Sequence, residues 1–343
     1  MSRLLLIAMA LLAVSCHKIT EFESSGDGAV TCISIPDLEI QNALSGIGQG
    51  RCLVPLGSGG IAAVSGEGLL YRISGDCSSV DTVYSIGGSS GSGYSDAVLA
   101  YNGNIYCTGP GSTVIEVDPS TNTLLDTFKP GQKPERLAAS FAEGRVYFTD
   151  IHSQCVSEIR TLDNSTGFES GVYYPPADVF VHSGGRHIII PCSDDAGSIY
   201  GIWLNLSPTA RPLLYNANFL TMGSPCSCSI PLERDSAYAV ACPDWSSDQG
   251  YVRLVYGYVV PTVVTPRVYV EGHPVGLCFS RLLGQDGLLF VLCRTESGNT
   301  AVSILGFDSG DPTPKVQNVI HLTGKPMDME LQSDSRLVVL TSG

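Results

Sequence analysis

Residues 114–128 read VIEVDPSTNTLLDTF. Val114 and Glu116 alternate with Ile115 and Val117, the period of a β-strand. The DPSTNT that follows is built from residues that favour turns: Pro presets φ, and Asp, Ser and Asn bond their own backbone. A second apolar run, Leu124 to Phe128, leaves the turn, so the stretch is a strand, a turn and a strand.

The same grammar returns to the end of the chain. Residues 131–150, GQKPERLAASFAEGRVYFTD, write a Gly-x-x-Pro opening, an apolar strand, an AEG turn and a second strand. Equivalent first strands begin near Cys52, Asp96, Arg136, Asp178, Cys228, Gly276 and Asp328, about 40 to 50 residues apart. Gly, Asn and Asp clusters such as GSGG at 57–60, NGN at 102–104 and SGGR at 183–186 supply the positive φ of two-residue hairpins. Third strands follow at 68–73, 113–117, 156–160, 198–204, 251–256 and 300–305, and a more polar fourth closes most units. Each unit is a four-stranded antiparallel meander, and the period matches propeller blades.

The last unit is incomplete. After 328–332 and 336–341 the chain has written only two strands, and the missing pair stands at the other end, at 29–35 and 38–44. Six whole blades and one assembled from both termini predict an all-β, seven-bladed propeller of four-stranded antiparallel blades. An open solenoid or a pair of sandwiches has no need of complementary half-units. Closing the ring removes free sheet edges between blades. Charged residues make up only 15% of the chain and Gly numbers 38, a composition suited to tight turns rather than long surface helices.

Residues 112–150 resemble the YVTN-type β-propeller repeat. Asp118, Thr121, Asn122, Gly131, Pro134, Gly144, Arg145, Tyr147, Thr149 and Asp150 match its pattern, with Phe148 where Val is usual. The other blades keep the rhythm and not the letters. The resemblance implies a propeller that is exported, lipid-anchored or part of a surface layer, and its seven-bladed neighbours include lactonases and lyases.

The N-terminus agrees with export. Arg3 precedes an apolar segment, Leu4 to Val14, too short to span a bilayer permanently. Ala13, Val14 and Ser15 before Cys16 resemble a bacterial lipobox, which implies a signal peptide over 1–15 and acyl chains on Cys16. Residues 16–27 then form a lipidated tether, polar and without periodicity. Its last eleven residues reach roughly 35–40 Å when extended, and residues 28–343 form the propeller. The expected location is the bacterial cell envelope, on the outer membrane. Loss of Arg3 leaves 18 basic against 33 acidic side chains, a formal charge of −15, which excludes nucleic acid as a partner. A monomer is expected.

Twelve cysteines in an exported chain raise the question of disulfides. Cys16 is assigned to lipid, and several others lie in apolar runs where a thiol packs as a small hydrophobe. Buried thiols and bridges both remain open. If bridges form, the equal 36-residue spacings select Cys192–Cys228 and Cys242–Cys278.

Function in a propeller concentrates where the loops from second to third strand meet the connections into the next inner strand. Those loops offer Asp150, His152, Asp194, Asp195, Asp244, Trp245, Arg294 and Glu296, with Lys133, Arg136, His273 and Lys325 from the connections. Asp150, Asp194 and Asp244 occupy equivalent places in three successive blades, and convergent carboxylates would suit Ca²⁺. The simpler role for each is to cap its own turn. Trp245 is a candidate stacking platform. Gly87-Gly88-Ser89-Ser90-Gly91 satisfies G-x-S-x-G but lacks the strand-to-helix turn of a nucleophile elbow. Neither H-E-x-x-H nor C-x-x-C occurs, and Cys226-Ser227-Cys228 alone makes no zinc site. No residues combine nucleophile, base and oxyanion roles. The expected function is therefore a binding or scaffold module for another envelope protein or a glycan, with no required cofactor. The rival is a lactonase- or lyase-type enzyme using Asp150, His152, Asp194, Asp244 and Glu296.

Overall fold

The structure, a computed structural model, describes residues 28–57, 59–87, 94–140, 144–181, 187–203, 213–232, 237–257, 263–281, 287–308, 311–333 and 335–343. The signal and tether (1–27), most of the G-x-S-x-G segment, and several of the hairpin turns anticipated from Gly and Asp clusters lie outside those residues.

Seven separate antiparallel sheets make up the molecule. Blades 1 to 6 occupy 50–85, 97–128, 134–171, 180–221, 228–271 and 273–322, each running from an inner to an outer strand in chain order. Blade 7 is the split one. Lys325–Ser333 and Arg336–Ser342 form its inner half, and Ala29–Ser34 and Glu39–Ser45 its outer half. Ala29–Ser34 lies antiparallel on Arg336–Ser342, with Val30 opposite Leu340 and Cys32 opposite Val338. The seven-bladed propeller closed by both termini is thus the fold of this chain.

The stretch 114–128 shows how the repeat grammar folds. Thr113–Asp118 and Thr123–Phe128 are the third and fourth strands of blade 2. Asp118 Oδ1 accepts the Ser120 N–H at 2.7 Å and the Ser120 hydroxyl at 2.6 Å, and Oδ2 accepts the Thr121 hydroxyl at 2.7 Å. Asn122, at φ 61°, takes the left-handed conformation that turns the chain back. Blades 1 and 3 repeat the device: Asp76 and Asp163 cap turns in which Cys77 and Asn164 carry positive φ. The Ser120 and Thr121 hydroxyls pull the Asp118 pKa down to about 2.

Apolar packing is divided into seven clusters, one between each pair of neighbouring blades. An open arc of seven blades would have six. The seventh joins Val30, Cys32, Val338 and Leu340 of blade 7 to Ile47, Leu53, Ile61, Ala63, Ile73 and Cys77 beside blade 1. A Cβ on Gly50 would stand 2.7 Å from Leu340 Cδ1, so glycine lets the blade 1 inner strand approach the closing blade.

Two expectations are corrected. All eleven described cysteines are buried thiols, and the anticipated Cys192–Cys228 and Cys242–Cys278 bridges are absent. Cys192 packs between blades 3 and 4 and Cys228 between blades 5 and 6, whereas Cys242 packs between blades 4 and 5 and Cys278 between blades 6 and 7. Equal spacing placed these side chains in different inter-blade layers. The outer edge of blade 5 is also irregular: Val263–Val264 and Val268–Glu271 both pair with Gln249–Tyr256. Between them Thr265 enters the sheet, its hydroxyl accepting the Leu254 N–H at 2.9 Å.

Candidate functional site

The upper face carries the loops from second to third strand and the connections into each inner strand. Asp150 ends the second strand of blade 3, where its side chain is buried. Its carboxylate accepts four backbone N–H groups, from Gln132 (2.5 Å), Lys133 (2.8 Å), His152 (3.0 Å) and Ser153 (2.8 Å). Burial opposes ionisation, but the Ser153, Lys133, Gln132 and His152 amides overcome it and hold the pKa below the usual carboxylate value. Asp194 accepts the Ser198 N–H at 2.7 Å and the Ser198 hydroxyl at 2.8 Å. Asp244 accepts the Ser246 N–H at 3.1 Å and hydroxyl at 2.6 Å, and the hydroxyl is the main reason its pKa falls. Each of the three carboxylates caps its own loop. They do not converge, and among the described residues no three His, Cys, Asp or Glu side chains are grouped to hold a metal ion.

His152, Asp195, Arg294 and Glu296 are exposed on this face, separated on blades 3, 4 and 6. Lys133 pairs with Glu135 at 3.5 Å. Lys325 lines a polar pocket of about 390 Å³ at the seam of blades 7 and 1, beside Arg51, Glu67 and the C-terminal Gly343. Gly28, the first described residue, lines the same pocket and so lies on the upper face.

Trp245 belongs to a larger arrangement. It is 69% exposed in the loop after the second strand of blade 5. The His273 ring meets it edge-on, with centroids 4.7 Å apart and planes at 73°. His273 Nε2 lies 3.1 Å from the Ser247 carbonyl of Trp245's own loop, which ties the two loops together. On the broken outer edge of blade 5, the Arg267 guanidinium sits 4.4 Å above the Tyr251 ring and Tyr269 packs edge-on against the same ring at 6.2 Å. Tyr269 is itself 48% exposed. A second aromatic pair, Tyr173 and Tyr174, leads into blade 4 and rests on Tyr200 at 6.2 and 6.3 Å. Sequence reading found Trp245 and missed Arg267, Tyr269, Tyr173 and Tyr174. Their signal was aromatic residues just before a blade's inner strand, in PRVYVEGHP and GVYYPP.

The axial channel has a different character. Arg136 lies on the inner strand of blade 3, not on the upper loops, within the electrostatic reach of Asp96, Asp178 and Asp328. Each of these aspartates bridges to the next blade. Asp96 Oδ2 accepts the Leu137 N–H, Asp178 Oδ2 the Ser229 N–H and Asp328 Oδ2 the Leu53 N–H, all at 2.7 Å. The other oxygen of each takes the N–H of the following residue: Ala97 at 2.9 Å, Val179 at 2.8 Å and Met329 at 2.8 Å. Inner strands expose a free edge to the channel, and these carboxylates satisfy donors on it. Burial pushes Asp96 up to about 7 against the pull of Arg136, and raises Asp178 and Asp328 as well. The channel residues are therefore latches between blades. At the lower mouth a cavity of about 550 Å³ is lined mainly by apolar residues, with Glu330 in its wall.

No protein-family description matches the chain, and no curated protein sequence matches it. Solved structures do. The WD40 repeats of RRP9 are similar at 12% identity and a TM-score of 0.64, covering 93% of this chain and 98% of that one. U3-55K gives the same identity and TM-score over 93% and 100%. The Kuenenia stuttgartiensis hydrazine synthase is similar over 68% and 69% at 15% identity and a TM-score of 0.53. At these identities the likeness is one of fold alone, a propeller.

Proposed function

We propose that this chain is a lipid-anchored binding module that holds another envelope protein against its upper face, with Trp245 at the centre of the contact. The observation that carries this reading is the fixed, exposed Trp245, braced by His273, on the same blade whose outer edge carries Arg267 and Tyr269. Trp, Tyr and Arg dominate binding energy at protein interfaces, and a ring already held in place loses little entropy on contact. The engagement of Asp150, Asp194 and Asp244 in their own turns leaves the lactonase or lyase reading without a convergent acid–base set.

The lipid anchor on Cys16 fits this picture. Gly28, to which the tether joins, lies on the upper face, so an anchored propeller would turn Trp245 toward its own membrane. The partner is accordingly membrane-associated, and the location is the cell envelope on the outer membrane. The YVTN-type resemblance of 112–150 agrees with an exported propeller.

The test is affinity capture from cross-linked envelope membranes with wild-type protein and Trp245→Ala. A discrete partner recovered by wild type and weakened about 30-fold or more in the variant, with melting unchanged, supports the reading. Equal capture by both proteins, or wild type that recovers only itself, refutes it. Binding to immobilised envelope glycans that depends on Trp245 replaces the protein partner with a sugar.

A further inference from the structure

The closing blade has a second device besides its hydrogen bonds. Cys32 lies in the strand that joins the N-terminal half of blade 7 to the C-terminal half, directly opposite Val338 on one side and Asn42 on the other. Cys77 lies in the turn between the third and fourth strands of blade 1. Both are fully buried in the one cluster that spans the seam. Two hydrogen bonds press the turn onto blade 7 at this point. Asn42 Nδ2 donates to the Asp76 carbonyl at 2.7 Å, and Arg336 Nη1 donates to the Gly75 carbonyl at 2.6 Å. The two cysteines share one packed layer there, Cys32 as the cross-strand partner of Asn42 and Cys77 as the residue after Asp76.

The backbone at Cys77 adds an independent observation. Its φ is 54°, the left-handed conformation that Asn122 and Asn164 adopt in the matching turns of blades 2 and 3. Asn and Gly take that conformation readily and other residues seldom do. A cysteine there puts its thiol at the seam at a conformational cost that simple apolar packing does not explain.

We propose that Cys32 and Cys77 form a disulfide that fastens the N-terminal half of the split blade to blade 1, holding in place the strand on which the C-terminal half closes the ring. The two thiols give up two protons and two electrons. The acceptor is the active-site disulfide of a protein dithiol oxidase of the export compartment, which becomes a dithiol as the S–S bond forms. Because both sulfurs are buried in the finished fold, exchange precedes the docking of blade 7 on blade 1. The proposal requires the chain to be exported, as its N-terminus indicates, but it is independent of what the upper face binds. Cys226 and Cys242 also share a layer, within and beside blade 5, and hold no chain end in place.

Full-length protein refolded with a glutathione redox pair, and again with excess dithiol, tests the proposal without reference to location. Peptide mapping of the first preparation is expected to recover the 32–77 pair. The oxidised form is expected to melt about 5 °C above the reduced one. Cys77→Gly, suited to the positive φ, should fold and melt alike in both preparations. Cys32→Ser should do the same. Free thiols at 32 and 77 in the oxidised preparation, bridging of Cys226 to Cys242 instead, or an equal melting shift in the Cys77→Gly protein would overturn it.

Discussion

Asp96→Asn isolates the electrostatics of the channel. In the folded protein burial pushes Asp96 up to about 7, well above the ordinary carboxylate range, with Arg136 pulling the other way. A folded pKa raised above the unfolded one means that the native state binds the proton more tightly. Asp96 therefore contributes stability that is complete below about pH 4 and is lost as pH rises through about 7. A shift of about 3 units corresponds to ~4 kcal/mol at most. The side chain is enclosed by the ring yet still half-buried rather than sealed from channel water, so ~2 kcal/mol is the working figure. Asparagine keeps one acceptor for the two N–H groups of Ala97 and Leu137, and the orphaned donor costs about 1–3 kcal/mol at every pH. The variant should thus be less stable than wild type at pH 5, and the gap should close by ~1 kcal/mol at pH 8. Urea unfolding of both proteins at the two pH values measures it. Arg136, Asp178, Asp328 and Glu330 act in the same channel, so the difference between variant and wild type is the quantity to read. A gap that stays constant between pH 5 and 8 refutes the reasoning.

Removing residues 325–343 takes away the inner half of blade 7 and exposes two inter-blade clusters, a loss far beyond the 5–15 kcal/mol of a typical domain; a cooperative calorimetric transition in the truncated chain would contradict closure. Asp150→Ala leaves four backbone donors without their acceptor and should cost about 2–4 kcal/mol in chemical denaturation near neutral pH. Because the folded pKa of Asp150 is depressed, the wild-type advantage is present above about pH 4 and disappears in stronger acid. Cys16→Ser should move the protein from the membrane to the soluble fraction on cell fractionation, and retention in the membrane would remove the lipid anchor.

Much of the architecture was readable before any coordinates. Asp118, Thr121 and Asn122 act locally, each bonding or turning its own backbone, so a turn of this type is written within six residues. The period of the strands and the two half-units at the ends likewise required only counting, and Val30 against Leu340 is where the count led. Trp245 was identifiable because its loop position follows from the blade pattern. Of the two readings of Asp150, Asp194 and Asp244, the turn cap was also local, and those are the bonds they make.

What a linear reading misjudged were relations between blades. Cysteines 36 residues apart share a phase in the repeat, but the side of the sheet to which each points, and hence the inter-blade layer it enters, depends on strand register. The bridges read from spacing failed for that reason, while Cys32 and Cys77, 45 residues apart in unlike elements, meet at the seam. Arg136 heads an inner strand in the sequence just as Asp96, Asp178 and Asp328 do. Only when seven inner strands surround one axis does a guanidinium find three carboxylates and do their oxygens reach the next blade's amides. The sequence alone determined turns, strand period and the matching ends, because these are set by neighbours along the chain. Tertiary structure decided which side chains share a layer, a channel or a face, because those distances exist only once the ring has closed.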